Sequence, residues 1–231
     1  MKRIHTLLGV QSIVAILVSI NRLGSWTLGY VLPNEFLRWV DFNNMLVLPL
    51  ISLVALYLLK KAIEYDSPAR EGSAHTVWNL VFIIGLYLTA ASYGNHEVTN
   101  YLHVRFCLDE PNSDLCRIII FNDDAFSHWI FFTGFVMVNT AIIFLQQIFP
   151  HRGNISAPDI GLLAINAIFL GAGIFANLGF EEIGLDLVVV AVLAILSAYL
   201  LWSRGKQPMH IYYTVAYWLG LLGSGLAQSI R

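Results

Sequence analysis

Charge is what this sequence has least of. Asp, Glu, Lys and Arg make up 12% of its 231 residues, about half the share found in soluble domains. A soluble globule cannot cover its surface with so few charges, which excludes that class along with disorder and collagen-like repeats. The net charge of −2 leaves no electrostatic footprint for nucleic acid, so none is expected as a partner. Two cysteines are too few for a disulfide scaffold. Glycine-rich phosphate loops, a G-x-S-x-G nucleophile turn and a Cys-x-x-Cys pair are all absent.

What is abundant is apolar length. Hydrophobic residues account for 57% of the chain, and a membrane-crossing helix needs roughly 20 of them in succession. Seven segments qualify: about 5–21, 44–63, 75–95, 125–149, 158–178, 185–203 and 208–228, the third continuing as helix to about 104. The first is read as a span and not a cleaved signal, because no small-residue cleavage site follows Lys2, Arg3 and the apolar run. The sequence therefore predicts an all-α integral membrane protein. It would be a seven-transmembrane-helix bundle forming a single polytopic domain over 1–231, with no linker or repeat dividing it. The fifth segment carries Gly161, Gly171, Ala172, Gly173 and Ala176, small residues that allow close helix approach in lipid.

Positive charge sets the orientation. Lys2, Arg3, Lys60, Lys61, Arg70, Arg152, Arg204 and Lys206 fall on one side, against Arg22, Arg38, Arg105, Arg117 and Arg231 on the other. The excess places the N-terminus in the cytoplasm and the C-terminus outside, in a plasma or bacterial inner membrane. Cys107 and Cys116 then lie in an outer loop, where a disulfide persists. Between them Pro111, Asn112 and Ser113 favour turns. Residues 22–43 interleave Trp26, Tyr30, Phe36, Trp39 and Phe42 with charges. That mixture predicts an element in the outer interface, acting as an anchor or as a lid.

Ionisable groups are costly near lipid, so their positions point to function. His5, His75, His151 and His210 fall at cytoplasmic ends, where solvated interfacial histidines are expected. His96, His103 and His128 gather at outer ends with Glu97, Asn100, Asp123, Asp124, Glu181, Glu182 and Asp186. At about 100° per residue, His96, Asn100 and His103 form one stripe extended inward by Tyr93 and Thr89, with Glu97 pointing away. Asp124 and His128, one turn apart, share a face on the next helix, and Asp123 cannot share it equally. Further polar stripes run through Asn139 and Gln146, through Thr214, Tyr217, Ser224 and Gln228, and through Ser12, Ser19, Asn166 and Asn177. They predict a polar bundle interior.

Two histidines from one helix with an aspartate and a histidine from the next make a metal site of imidazole and carboxylate. The expected ligands are His96, His103, Asp124 and His128, with Tyr93 and Asn100 supporting them, and the metal a divalent transition ion, zinc or iron. Asp123 or Glu97 would serve as general base. The run Glu97-Val-Thr-Asn100-Tyr-Leu-His103 resembles the E-x-x-N…H signature of seven-helix membrane hydrolases, the group of alkaline ceramidases and adiponectin-type receptors. That resemblance implies zinc-dependent hydrolysis in the membrane. The family's paired histidines of the last helix have no counterpart, since Tyr213 and Thr214 follow His210 at those spacings.

The leading expectation is a membrane-embedded metal-dependent enzyme, hydrolase or oxidoreductase, acting on a lipidic or small apolar substrate. Two alternatives stay open. One is a proton- or cation-coupled transporter using the same groups as a relay. The other is a non-catalytic membrane subunit or receptor, whose apolar faces bury against a partner protein or a second copy.

Overall fold

A computed structural model describes residues 1–65, 72–181 and 185–230. Arg70, Glu182 and Arg231 lie outside the described residues, as do the side chains of Glu181 and Gln228. The described chain is all-α. α1 (Lys2–Leu23) is followed by the short α2 (Trp39–Phe42), a π-helical segment π1 (Asn43–Val47) and α3 (Leu48–Tyr65). α4 (Ser73–Phe106) precedes α5 (Asp114–Ile120), π2 (Phe121–Phe126) and α6 (Ser127–Ile148), which join end to end. α7 (Ala157–Ala176) runs into π3 (Asn177–Glu181), and α8 (Asp186–Arg204) and α9 (Pro208–Ile230) complete the order.

Among the described residues six helices are long and apolar enough to cross a membrane: Lys2–Leu23, Trp39–Tyr65, Ser73–Phe106, Asp114–Ile148, Ala157–Gly179 and Asp186–Arg204. Their apolar residues are spread around the helices, and only 17–44% of each apolar window is buried inside the bundle. The rest, including Ile13, Ile83, Ile165 and Val188, faces outward. An outward apolar surface of this extent is what membrane association requires. The expected seventh segment is α9, whose inner face supplies the fully buried Ala216 and Tyr217.

Local signals explain where helices begin. Ser156 caps α7 in a reciprocal capping box with Asp159, and a proline sits in the first turn. Ser113 caps α5 by accepting from Cys116 N. Gly205, at φ 80°, provides the left-handed residue that reverses the chain between α8 and α9. The long antiparallel pair of α4 with α5–α6 is drawn together by glycines. A Cβ on Gly134 would come within 2.8 Å of Gly85 O, and one on Gly85 within 2.9 Å of Val138 N. α7 and α9 share a second seam, where a Cβ on Gly171 would lie 3.0 Å from Ala216 O. Gly161 and Gly173 meet nothing within 4 Å, so the small residues of α7 divide between packing and open space.

The segment between α1 and α2 folds as a hairpin-like loop. Val31 N donates to Leu37 O at 2.8 Å and Trp39 N to Gly29 O at 2.9 Å, with Glu35 at φ 57° in the turn. Tyr101 of α4 donates to Glu35 O at 2.6 Å, and Arg38 lies over the Tyr101 ring. Paired bonds to Asp41, at 2.7 and 2.9 Å, hold the Arg38 guanidinium above its ordinary pKa. Trp26, 92% exposed, points away from the bundle, as does Phe36. At the tip of the α4–α5 turn the Cys107 and Cys116 sulfurs are 2.11 Å apart, a disulfide.

Two histidines expected to be solvated are buried instead. His210 is fully buried because the first turn of α9 packs under the end of α6, with Gln147 Nε2 2.5 Å from its Nε2. His75 is buried edge-on against Phe149, its Nε2 2.8 Å from Glu64 Oε1.

Candidate metal centre

The centre begins with a break in helical period. In π2 the backbone bonds reach five residues back and not four, which adds a residue to the turn. Ser127 N donates to Asn122 O, and that carbonyl also accepts from the Ser127 hydroxyl at 2.5 Å and Asn95 Nδ2 at 3.0 Å. α4 clamps the widened turn further. Asn95 Nδ2 reaches Ser127 Oγ at 2.7 Å, and Ser92 Oγ donates to Ser127 O at 2.8 Å.

The extra residue exchanges the two aspartates. An unbroken α-helix would aim Asp124 along the face of His128. With the π turn, Asp123 takes the inward position, its side chain 2% exposed, while Asp124 stands 60% exposed at the rim. The stripe expected from Asp124 through Asn139 and Gln146 is corrected accordingly: Asn139 and Gln146 are buried, and Asp124 is turned out of that line.

His96, Asn100 and His103 of α4 all face Asp123. His103 Nδ1 is 2.9 Å from Asp123 Oδ2, Asn100 Nδ2 is 3.5 Å from the same oxygen, and His96 Nε2 is 4.0 Å from Oδ1. His103 Nδ1 is also 3.9 Å from Asp124 Oδ1. Among the described residues His103, Asp123 and Asp124 each offer a ligand atom, all within 4.8 Å of one another. This is a cluster able to chelate a divalent metal. His96 and His128 adjoin it as a stacked pair, ring centroids 5.1 Å apart.

Glu97 is buried and points toward α1, where it is ion-paired with Arg22 from that helix's last turn. Arg22 Nη2 is also 3.3 Å from His96 Nδ1, and Glu97 Oε1 is 3.5 Å from it. In the sequence Arg22 stands as an orientation charge and as one of the charges of the aromatic-rich segment 22–43. A lone arginine ending an apolar helix, with an acid buried at the same level, was the available signal. Asn95 carries no such signal, because its role depends on the π turn. Asp186 is buried at this same end, with Oδ1 accepting from Leu187 N. It stands outside the chelating group.

Beneath the centre lies a cavity of about 610 Å³, open on one side of the bundle. Its wall is mostly apolar, with Phe131, Phe135 and Leu170 among the residues lining it. A polar belt crosses it at mid-depth. Gln11 and Ser52 bond reciprocally, Ser12 donates to Asn166 Oδ1 at 2.7 Å, and Tyr213 donates to Asn139 Oδ1 at 2.8 Å. Tyr93 reaches the cavity wall and packs edge-on against Phe131.

No family model, curated protein or solved structure matches the chain. The resemblance of residues 97–103 to the membrane hydrolases stands on those residues alone.

Proposed function

We propose that this protein is a membrane-embedded, metal-dependent enzyme acting on a lipidic or other apolar substrate. The divalent transition metal, zinc or iron, would be held by His103, Asp123 and Asp124. The observation that carries this reading is Asp123: Oδ2 engages His103, while Oδ1 is buried without a hydrogen-bond partner. A half-satisfied buried carboxylate is costly, and a cation offsets that cost.

When bound, such a metal supplies Lewis-acid polarisation and activation of water. The chain's own residues do the rest. To hold a metal, His103 would bind through a deprotonated ring nitrogen and Asp123 as a carboxylate. Arg22 and Glu97 are ion-paired, and together they orient His96 through Nδ1. His96 Nε2 is then free to take or return a proton beside Asp123. In this reading Glu97 is a positioning residue, Asp123 is a ligand and His96 is the base. The cavity below would accept the apolar part of the substrate.

The test is elemental mass spectrometry on protein purified in mild detergent without chelator. Stoichiometric metal is expected in the wild type and in His5→Gln at the opposite end, and its loss in His103→Gln. A folded wild type that holds no metal even after reconstitution overturns the reading. A second reading, proton- or cation-coupled transport, is favoured by the polar belt lying between this centre and the Lys60–Glu64–His75 group at the other end. Metal-independent uptake by proteoliposomes would support it instead.

A further inference from the structure

We infer that the cavity beneath the centre is the binding site of a single-chain acyl amphiphile, entered sideways between α6 and α7, with the head of the amphiphile held at Arg22, His96 and Glu97. The inference rests on the metal-centre reading for what happens to the head, and on the cavity's geometry for the chain.

Three helices fix the alignment of cavity and centre. On α1 the uppermost lining residue is Ile20, two positions before Arg22. On α4 it is Tyr93, three and four positions before His96 and Glu97. On α6 the lining begins at Phe131, three positions after His128. On these three helices the top of the cavity therefore lies within about one helical turn of the charged groups. Arg22 is half-exposed and engages its partners through Nη2, which leaves guanidinium donors for an oxygen-bearing head.

The depth suits one chain. Phe131 to Asn139 on α6, and Asn166 to Asn177 on α7, span roughly 12–16 Å at the helical rise. A volume of about 610 Å³ lies within the ordinary range for a small buried ligand. The belt of Ser12, Asn166, Asn139 and Tyr213 satisfies its own hydrogen bonds at mid-depth, so it is not a second head site, and the apolar lining continues past it to Leu8 and Leu59. The side entrance is where Ala172, Gly173 and Ala176 line the cavity while remaining exposed. A Cβ on Gly173 would meet nothing within 4 Å, so the gap is one that larger side chains would close.

The experiment measures retention of radiolabelled palmitate and metal content in parallel on the full-length protein in detergent. The wild type is expected to retain about one equivalent of palmitate. Gly173→Phe and Ala172→Phe should each weaken retention at least tenfold with metal content unchanged, and Gly161→Phe, on the same helix but away from the cavity, should leave both unchanged. Two entrance variants keep the test decisive if one does not fold. Palmitate retained equally by both variants, no retention by the wild type, or preferential retention of two-chain dioleoyl phosphatidylcholine overturns the inference while leaving the metal reading intact. Palmitate held by a metal-free wild type and lost in the entrance variants supports the chain site and overturns the metal reading instead.

Discussion

Both ends of the bundle pair histidines with carboxylates, yet among the described residues only one end leaves an oxygen of such a carboxylate without a hydrogen bond. At the end away from the π turns, Glu64 Oε1 meets Lys60 Nζ at 2.5 Å and His75 Nε2 at 2.8 Å, while Oε2 meets Lys61 at 3.3 Å. Asp159 Oδ1 meets His5 at 2.8 Å, and Oδ2 accepts from the Ser156 hydroxyl and backbone. Every one of those four oxygens is used. At the other end Arg22 is committed to Glu97, and among the described residues Asp123 Oδ1 is buried without a hydrogen-bond partner. The residue types are the same. The unspent lone pair is what separates a ligand site from a structural ion pair.

The comparison is broken or sharpened most strongly by exchanging single carboxylates. Asp123→Asn should weaken metal retention by roughly 100-fold or more, the upper range seen even for supporting residues. Asp159→Asn, at the opposite end, should leave metal content unchanged by elemental analysis. Equal losses from both would erase the distinction. Next in size is the covalent tie that only the end with Asp123 possesses. Replacing Cys107 and Cys116 by serine reopens a loop with a sequence separation of 9. It should cost about 2.5 kcal/mol on the chain-entropy account, read from denaturant unfolding in detergent. Gly134→Ala forces a Cβ against Thr89 and Gly85 and should cost about 2 kcal/mol by overpacking. Gly161→Ala, with open space around it, should leave the unfolding midpoint where it is. The smallest effect belongs to Lys61→Ala. Its side chain is 49% exposed, and Glu64 retains Lys60 and His75, so a change under about 0.5 kcal/mol is expected.

The sequence shows the helices and the level of the centre because both follow from composition along the chain. Runs long enough to be helical spans cannot be hidden in a sequence that is 57% hydrophobic. The extension of the third segment past its apolar stretch, to Phe106, is visible in the stripe of His96, Asn100 and His103. The start of the fourth helix at Asp114 was less legible, since polar residues 122–124 read as its beginning. The exchange of Asp123 and Asp124 was not legible at all. A π turn differs from an α turn by one shifted hydrogen bond and carries no residue signature, yet it redirects every side chain before it. Glu97 illustrates a second limit. Helical phase placed it off the stripe, correctly, but only the neighbouring helix reveals that this direction faces Arg22.

The glycine seam between α4 and the α5–α6 segment has a mechanical consequence. Each arm, of 34 and 35 residues, extends on the order of 50 Å, well beyond a hydrocarbon thickness of about 30 Å. Where backbones touch at Gly85 and Gly134, neither arm can slide along the other. Placed in a thinner or thicker bilayer, the pair tilts as one body. The gap between His103 and Asp123 stays fixed like the jaws of a locked calliper. Lipid composition would then change how high the jaws stand above the membrane and leave the gap between them unchanged.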